Sequence, residues 1–156
     1  MNTTGDYRDK LKRLGCLSFE ILKEEWNYYE LEDGTLLSVK TVLINVFKEG
    51  VDEKGRPIYS FSWTNIIGAV SPPQLRGPPS RKRYTPEELE DSIDKEELKF
   101  TPLKEGWSEY RLEDKTRLFI KPILVEVSRT KKYDSRGTPI YITNIQPIVK
   151  VKLRRK

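Results

Sequence analysis

The sequence predicts an all-β protein that arose by tandem duplication of a small five- or six-stranded barrel of the SH3-like or OB-like kind. The first observation is a repeat: residues 17–46 and 98–127 are identical at 15 of 30 positions, at a constant offset of 81. The second is the alternation of apolar and polar residues in short runs, which is typical of strands. The third is that turn residues separate these runs at short intervals. A register held over about 54 residues indicates one unit used twice.

The repeat divides the chain into four segments. Residues 1–16 are an N-terminal extension with helical spacing, and residues 17–70 are the first barrel repeat. Residues 71–97 are a linker, and residues 98–156 are the second barrel repeat with a basic C-terminal tail. A unit of about 60 residues buries only about 60% of its unfolded surface. We therefore expect the two repeats to pack on each other, on a second copy of the chain or on other protein subunits.

Short strands follow one another within each repeat. The second of them ends at Asp33-Gly34 in the first repeat, and Asp-Gly between apolar runs is a strong hairpin signal because both residues accept positive φ. The second repeat has Asp114-Lys115 at this point. We therefore expect a longer or differently shaped turn there.

The apolar pattern changes phase beyond this turn. Leu37 and Val39 share one face of the predicted strand, whereas the next apolar residues alternate on the other face, beginning at Val42. One residue is therefore inserted, since strand faces have a period of two. The pattern predicts a β-bulge or corner at Lys40-Thr41 and, in the second repeat, at Lys121-Pro122.

The linker has two parts of different composition. Ser71 to Pro79 contains four prolines and is predicted to be extended. Beyond a basic cluster, Thr85 is an N-cap candidate and Pro86 suits the first helical position, with acidic residues in the first turn. These signals predict a short acidic helix over residues 86–97, so that a helical linker joins the two repeats.

Charge is distributed unevenly between the repeats. The net charge is +5, but residues 17–77 carry −3 and residues 99–156 carry +9. Such asymmetry is typical of proteins that bind nucleic acid or an acidic partner. We therefore expect a non-enzymatic module that contacts the backbone of RNA or DNA through the second repeat, within a ribonucleoprotein assembly. The predicted contact residues are Arg81, Lys82, Arg83, Arg129, Lys131, Lys132, Tyr133, Arg136, Lys150, Lys152, Arg154, Arg155 and Lys156.

An alternative function rests on the aromatic residues. Tyr28, Phe61 and Trp63 are aromatic in the first repeat only. If they are exposed, they predict a protein-binding patch of an adaptor or assembly subunit; if not, they belong to the core. Trp26 and Trp107 occur at equal positions in both repeats. We expect them to be core residues, with base stacking as the alternative.

The composition argues against several classes of protein. The chain has no histidine and a single cysteine, Cys16, so the usual proton shuttle, an internal disulfide and a cysteine-rich metal site are absent. Carboxylates repeat at Glu32-Asp33 and Glu113-Asp114, where capping of the hairpin turn by the Asp side chain explains them. We therefore expect no enzymatic activity, no cofactor and no metal.

Two further expectations rest on composition. With no long apolar run, a cytoplasmic protein without membrane contact is predicted. Abundant lysine and glutamate with few thermolabile residues is typical of thermophiles.

Overall fold

A computed structural model describes residues 6–153, and most of them lie in β-strands, as the predicted all-β class requires. The two helices are α1 (Tyr7–Arg13) and α2 (Pro86–Asp91), and a 3₁₀ turn lies at Pro73–Leu75. The strands are β1 (Cys16–Leu17), β2 (Phe19–Lys23), β3 (Asn27–Leu31), β4 (Leu36–Val51), β5 (Pro57–Val70), β6 (Ile93–Lys95), β7 (Phe100–Lys104), β8 (Ser108–Leu112), β9 (Arg117–Tyr133) and β10 (Pro139–Lys152).

These strands form two antiparallel sheets of five strands each. Sheet A contains β1, β3, β4, β5 and β7, and sheet B contains β2, β6, β8, β9 and β10. The long strands β4 and β9 are the central members, and β5 and β10 are their hairpin partners. Neither sheet closes into a barrel within residues 6–153, because β5 and β10 each pair with one neighbour only. The prediction of barrels is therefore wrong, and the all-β class is confirmed.

The two repeats exchange their equivalent strands β2 and β7. β2, from the first repeat, pairs with β8 of the second repeat and places Phe19 opposite Leu112. β7, from the second repeat, pairs with β3 of the first and places Phe100 opposite Leu31. The exchange is reciprocal, since these positions differ by the repeat offset of 81. Each sheet thus contains strands of both repeats, and this is why neither repeat closes on itself.

Buried tyrosines hold each exchanged segment in place. The Tyr29 hydroxyl donates a hydrogen bond to Glu105 Oε2 at 2.6 Å, and the Tyr110 hydroxyl donates to Glu24 Oε2 at 2.8 Å. Both carboxylates directly follow the strands that cross over. Burial, reinforced by the bonded carboxylate, raises the pKa of both tyrosines. The same polar contact therefore forms twice, once in each direction.

Two hydrophobic cores result, and each draws on both repeats. The ring of Tyr29 meets Phe100 edge-on and the ring of Tyr110 meets Phe19 edge-on, each pair with centroids 5.7 Å apart. β4 and β9 each contribute their first half to one core and their second half to the other. The first core contains Tyr29, Leu31, Leu37, Val39, Leu98, Leu124 and Val127, and the second contains Leu43, Val46, Tyr110, Leu112, Leu118 and Ile120.

The bulges in the long strands lie beyond their predicted positions. Pairing of β4 with β5 shifts register between Leu43 and Asn45, and the corresponding shift in β9 brackets Val125. The alternation of buried and outward residues continues through Thr41, which is fully buried. Its hydroxyl donates a hydrogen bond to the Asn65 side chain, which compensates for the burial of a polar group. A buried, hydrogen-bonded threonine therefore lies on the inner face of β4 at the position where the apolar pattern predicted that the strand changes its buried face. The prediction of bulges at Lys40-Thr41 and Lys121-Pro122 is therefore wrong by three residues in each copy, since the unpaired residues are Ile44 and Val125.

The two hairpin turns have the same hydrogen bonds despite their different sequences. Gly34 and Lys115 both have positive φ, at 89° and 72°. In each turn the Asp33 or Asp114 carboxylate accepts a hydrogen bond from the amide two residues later. The expectation of a different turn shape is therefore wrong. Lys115 adopts a left-handed conformation that costs about 1–2 kcal/mol for a residue with a Cβ atom.

The linker is more ordered than its composition suggests. Helix α2 begins at the predicted N-cap Thr85, which forms a capping box with Glu88, but it ends at Asp91, so the predicted helix over 86–97 is too long. Residues 93–95 form β6 instead, and they pair with β9 near Thr130. The extended part contacts the β9–β10 turn, where the Gly77 amide donates to the Gly137 carbonyl at 2.9 Å. Packing against sheet B therefore overrides the local helical signals.

Two further tyrosines join β5 and β10 to the turns of the opposite repeat. The Tyr59 hydroxyl donates a hydrogen bond to Asp114, and the Tyr141 hydroxyl donates to Asp33 Oδ2 at 2.8 Å. Burial, together with the neighbouring carboxylate, raises the pKa of Tyr59 and of Tyr141 to about 12. Burial by itself raises the pKa of Asp33, but the hydrogen bonds that it accepts outweigh this and lower it.

We expect these tyrosines to make the protein sensitive to alkali. A phenol whose pKa is raised in the folded state stabilises the fold fully below its unfolded pKa of about 10. This contribution is lost as the pH rises towards about 12 for Tyr59 and Tyr141. The melting temperature, followed by circular dichroism from pH 8 to 12, should fall steeply above about pH 10.

The control for this pH series is a pair of conservative substitutions. Tyr141→Phe should lower the melting temperature at neutral pH and reduce the loss at alkaline pH. Tyr7→Phe should change neither, because Tyr7 is 65% exposed and takes no part in these bonds. An identical alkaline loss in Tyr141→Phe and in the unaltered protein would contradict this account.

Candidate nucleic-acid interface

The predicted basic residues fall at separate places on the molecule. Lys150 and Lys152 lie near the end of β10, whereas Lys131 and Lys132 lie near the end of β9. Phe119, which is opposite Lys150, precedes Lys131 by 12 residues on β9. At about 3.3 Å per residue, the two lysine pairs are therefore up to about 40 Å apart along the sheet. Arg154, Arg155 and Lys156 lie outside the described residues.

The strongest cluster lies on the outer surface of sheet B, and we call it the lysine–aromatic face. It consists of Trp107, Phe119, Lys121, Lys150 and Lys152. Lys150 Nζ is 4.9 Å from the centroid of the Trp107 ring and 5.0 Å from that of the Phe119 ring. Lys121 Nζ is 5.1 Å from the Trp107 ring, and Lys152 Nζ is 5.4 Å from the Phe119 ring. These distances are within the range of cation–π contacts.

Strand register brings this face together from three segments. β10 pairs with β9 so that Lys150 is opposite Phe119, while Trp107 directly precedes β8 on the other side of β9. Phe119 and Lys121 point outward because the residues between and beside them, Leu118 and Ile120, are fully buried. The face therefore follows from strand alternation in β9 and β10 combined with their pairing.

The lysines of this face have no carboxylate partner among residues 6–153. Salt bridges do neutralise the neighbouring arginines: Arg117 Nη1 is 2.8 Å from Glu109 Oε1, and Arg111 Nη2 is 2.8 Å from Glu20 Oε2. Lys121, Lys150 and Lys152 take part in no such pair within the described part of the chain. Their charges are therefore available to an anionic ligand.

The equivalent surface of sheet A lacks this charge. Trp26 corresponds to Trp107 and Lys40 to Lys121, with Lys40 Nζ 5.6 Å from the Trp26 ring. However, Gly68 and Val70 stand where the second repeat has Lys150 and Lys152, and Ser38 replaces Phe119. Both tryptophans are half-buried. Most of their surface is buried at equivalent places, as expected, but neither belongs to one of the two hydrophobic cores, contrary to the prediction. The two faces form a natural pair for comparison.

A second basic cluster lies where the linker meets the β9–β10 turn. The ammonium groups of Lys82 and Lys132 each lie 5.3 Å from the ring centroid of Tyr84. Lys82 also contacts Glu88 at 3.3 Å. Arg81, Arg83, Lys131 and Arg136 are exposed nearby in the chain. An open groove of about 560 Å³ adjoins this cluster and is lined by Ser80, Arg81, Lys82, Asp134, Ser135 and Ile140.

Two of the predicted contact residues have internal partners. Arg129 forms salt bridges with Asp33 at 3.1 Å and with Asp94 at 3.0 Å, and only 19% of its side chain is exposed. Tyr133 packs against Gly77, where any Cβ atom would lie 2.3 Å from the ring. Arg129 and Tyr133 therefore stabilise the junction between linker and sheets, and a ligand would have to displace these contacts to reach them.

The aromatic residues proposed for protein binding are divided between two surfaces. Phe61 packs against the second core, and its ring lies 6.2 Å from that of Tyr59. Trp63 is half-buried and lies opposite the buried Leu43. The stripe on β5 therefore faces the core. Tyr28 points to the outer surface of sheet A, because its neighbours Asn27 and Tyr29 are fully buried.

Other chemistry has little support among the described residues. No cluster of three or more carboxylate, cysteine or histidine side chains with metal-binding geometry occurs in residues 6–153. Cys16 is buried. Within the same range, the helices are too short and too polar to cross a membrane.

Sequence reasoning missed Phe119 and Lys121 as members of the candidate site, and it considered Trp107 only as an alternative stacking residue. The sequence contained part of the pattern that identifies this face. Arg117, Phe119 and Lys121 alternate with apolar residues along one strand, and Lys150 and Lys152 do so along another. Only the pairing of β9 with β10 shows that the two outward sets adjoin. Comparison of the chain with protein-family models, with curated proteins and with solved structures gave no match.

Proposed function

We propose that this protein is a non-enzymatic module that binds nucleic acid through the lysine–aromatic face of sheet B. The observation that carries the proposal is the convergence of three lysines, which have no carboxylate partner among residues 6–153, on two half-buried aromatic rings. Phosphates supply the anionic charge that such lysines neutralise, and counterion release makes this the main source of affinity. The ring faces of Trp107 and Phe119, over which Lys150 lies, supply stacking surfaces for bases.

Single-stranded RNA or DNA suits this face better than a duplex does. The bases of a single strand are free to stack on a side chain, whereas those of a duplex are stacked on each other. Lys150 lies over both Trp107 and Phe119. A phosphate that draws the ammonium group aside leaves the ring free for a base. The same residues therefore serve charge neutralisation and stacking.

A second candidate function is that of a protein-binding assembly subunit. Its support is the outer surface of sheet A, which is largely uncharged where sheet B is basic. Leu36, Ile66 and Val70 are 36%, 46% and 63% exposed there, and Tyr28 points to the same side. Apolar residues grouped on a sheet face are typical of protein–protein interfaces.

The experiment is an anisotropy titration with labelled single-stranded RNA and DNA over a range of salt concentrations. Affinity should fall steeply with salt and depend little on base sequence. The Lys150→Glu/Lys152→Glu variant should bind weakly, and each lost phosphate contact should flatten the log–log salt slope by about 0.7. Trp107→Ala should lose about 1–3 kcal/mol of binding free energy if one base stacks there.

Trp26→Ala is the matched control, since Trp26 holds the equivalent half-buried position beside Lys40. It should leave affinity unchanged. Lys82→Glu/Lys132→Glu tests the cluster around Tyr84 separately. Absence of binding at low salt, or equal losses in the Trp26 and Trp107 variants, would contradict the proposal, and a copurifying protein lost on substitution of Leu36 would favour the assembly subunit.

A further inference from the structure

The strand β5 presents a long sheet edge. It extends for 14 residues from Pro57 to Val70 and pairs with β4 along one side only. Within residues 6–153, no backbone hydrogen bond joins the other side of β5 to a neighbouring strand or to the linker. The backbone groups along that side are therefore free to pair with a further strand.

The other edge strands of three or more residues carry features that block such pairing. Charged residues or proline, which are the usual protection of exposed edges, occur in each of them. β5 has no charged residue, and its only proline is its first residue. The protecting residues are Glu20 and Lys23 in β2, Asp94 and Lys95 in β6, Pro102 and Lys104 in β7, and Pro147, Lys150 and Lys152 in β10.

The comparison with β10 is the most direct, because β5 and β10 are equivalent strands of the two repeats. Asn65 stands in place of Pro147. Gly68 and Val70 stand in place of the two lysines. Exposed apolar side chains border this part of the edge, with Ile66 at 46% and Ile67 at 43% exposure. The chain therefore protects one of two equivalent edges and leaves the other open.

We infer that β5 pairs in antiparallel fashion with β5 of a second copy of this chain, which makes a two-fold symmetric dimer with one sheet continuous across both copies. In a two-fold symmetric contact, the same surface patch of both copies meets. The lysines of a charged strand would therefore lie near the same lysines of the second copy and repel them. β5 is free of charge and avoids this repulsion, whereas β10 does not. The dimer lies on sheet A and is independent of the proposed nucleic-acid face on sheet B.

The test measures the mass of the unaltered protein by sedimentation equilibrium over a range of concentrations, beside two variants. Ile66→Lys places a charge on the open edge. Gly68→Lys/Val70→Lys transfers the lysines of β10 to β5, and position 68 has room because an added Cβ atom would meet only Ser38, at 3.9 Å. The unaltered protein should be in monomer–dimer equilibrium, and each variant should raise the dimer Kd about tenfold or more.

Ile148→Lys is the matched control, because Ile148 is equivalent to Ile66 and 48% exposed. It should dimerise like the unaltered protein. Amide hydrogen exchange of the unaltered protein gives a second readout that needs no variant, and residues 64–70 should gain protection as concentration rises. A monomer at all concentrations, unchanged dimerisation in both β5 variants, equal loss in Ile148→Lys, or assemblies that grow without limit would overturn the inference.

Discussion

Residues 17–70 produced without the rest of the chain should fail to fold as a monomer. In this fragment β2 would lose its partner strand β8, and β3 would keep β4 but lose β7, because β8 and β7 belong to the second repeat. The fragment would also retain only part of each core. Its far-ultraviolet circular dichroism should lack a cooperative melting transition at low concentration, whereas the full chain should show one.

A cleaved chain is the informative control for this experiment. Proteolysis at the exposed residues Arg81, Lys82 or Arg83 should yield two fragments that remain associated and elute as one species, since the exchanged strands still pair. Folding of the isolated fragment at high concentration should depend on concentration, because two copies can exchange β2 with each other. A folded, monomeric fragment 17–70 would contradict the importance of the exchange.

Replacement of Tyr29 by Ala should lower the free energy of unfolding by about 3–5 kcal/mol, as loss of a large core aromatic does. Tyr29 is fully buried, packs edge-on against Phe100 and donates its hydroxyl hydrogen bond to Glu105. All of these contacts join strands of different repeats. Denaturant unfolding followed by tryptophan fluorescence measures the loss, and Tyr110→Ala should have a similar effect.

The controls separate packing from hydrogen bonding. Tyr29→Phe keeps the ring and should cost only about 1–2 kcal/mol, since one hydrogen bond to a carboxylate is lost. Trp26→Ala should cost less than Tyr29→Ala, because Trp26 is half-buried. A larger loss for Trp26→Ala than for Tyr29→Ala would show that the tryptophan, and not the tyrosine, supports the junction between the repeats.

Local features of the fold were predictable from individual residues. The alternation of Leu37 and Val39 indicated β4, and Asp33-Gly34 indicated the turn before it, since both signals act between neighbours in the chain. Features that depend on distant contacts were not. The burial of Thr41 requires its hydrogen bond to Asn65, and the end of α2 at Asp91 requires the pairing of β6 with β9.

The candidate site was predictable in the same limited way. Lys150 and Lys152 were identified because they alternate with apolar residues in one strand. Arg129 was identified from its charge alone, but its salt bridges to Asp33 and Asp94 neutralise that charge within the protein. A sequence shows where a charge stands along a strand, but the ion pairs that neutralise it come from segments far away in the chain.

By itself, the sequence determined the all-β class, the two equivalent segments and the concentration of positive charge in the second of them, because composition, periodicity and identity are properties of local sequence. Only the tertiary structure decided which strand accepts β2. Phe19 meets Leu112, although the repeat offers the identical Leu31 at the equivalent position of β3. Equivalent residues offer nearly equal contact energies, so no pattern distinguishes pairing within a repeat from exchange between repeats. Contacts between segments far apart in the chain determine which pairing forms. The resulting arrangement of strands also brings Trp107, Phe119 and Lys150 to one surface.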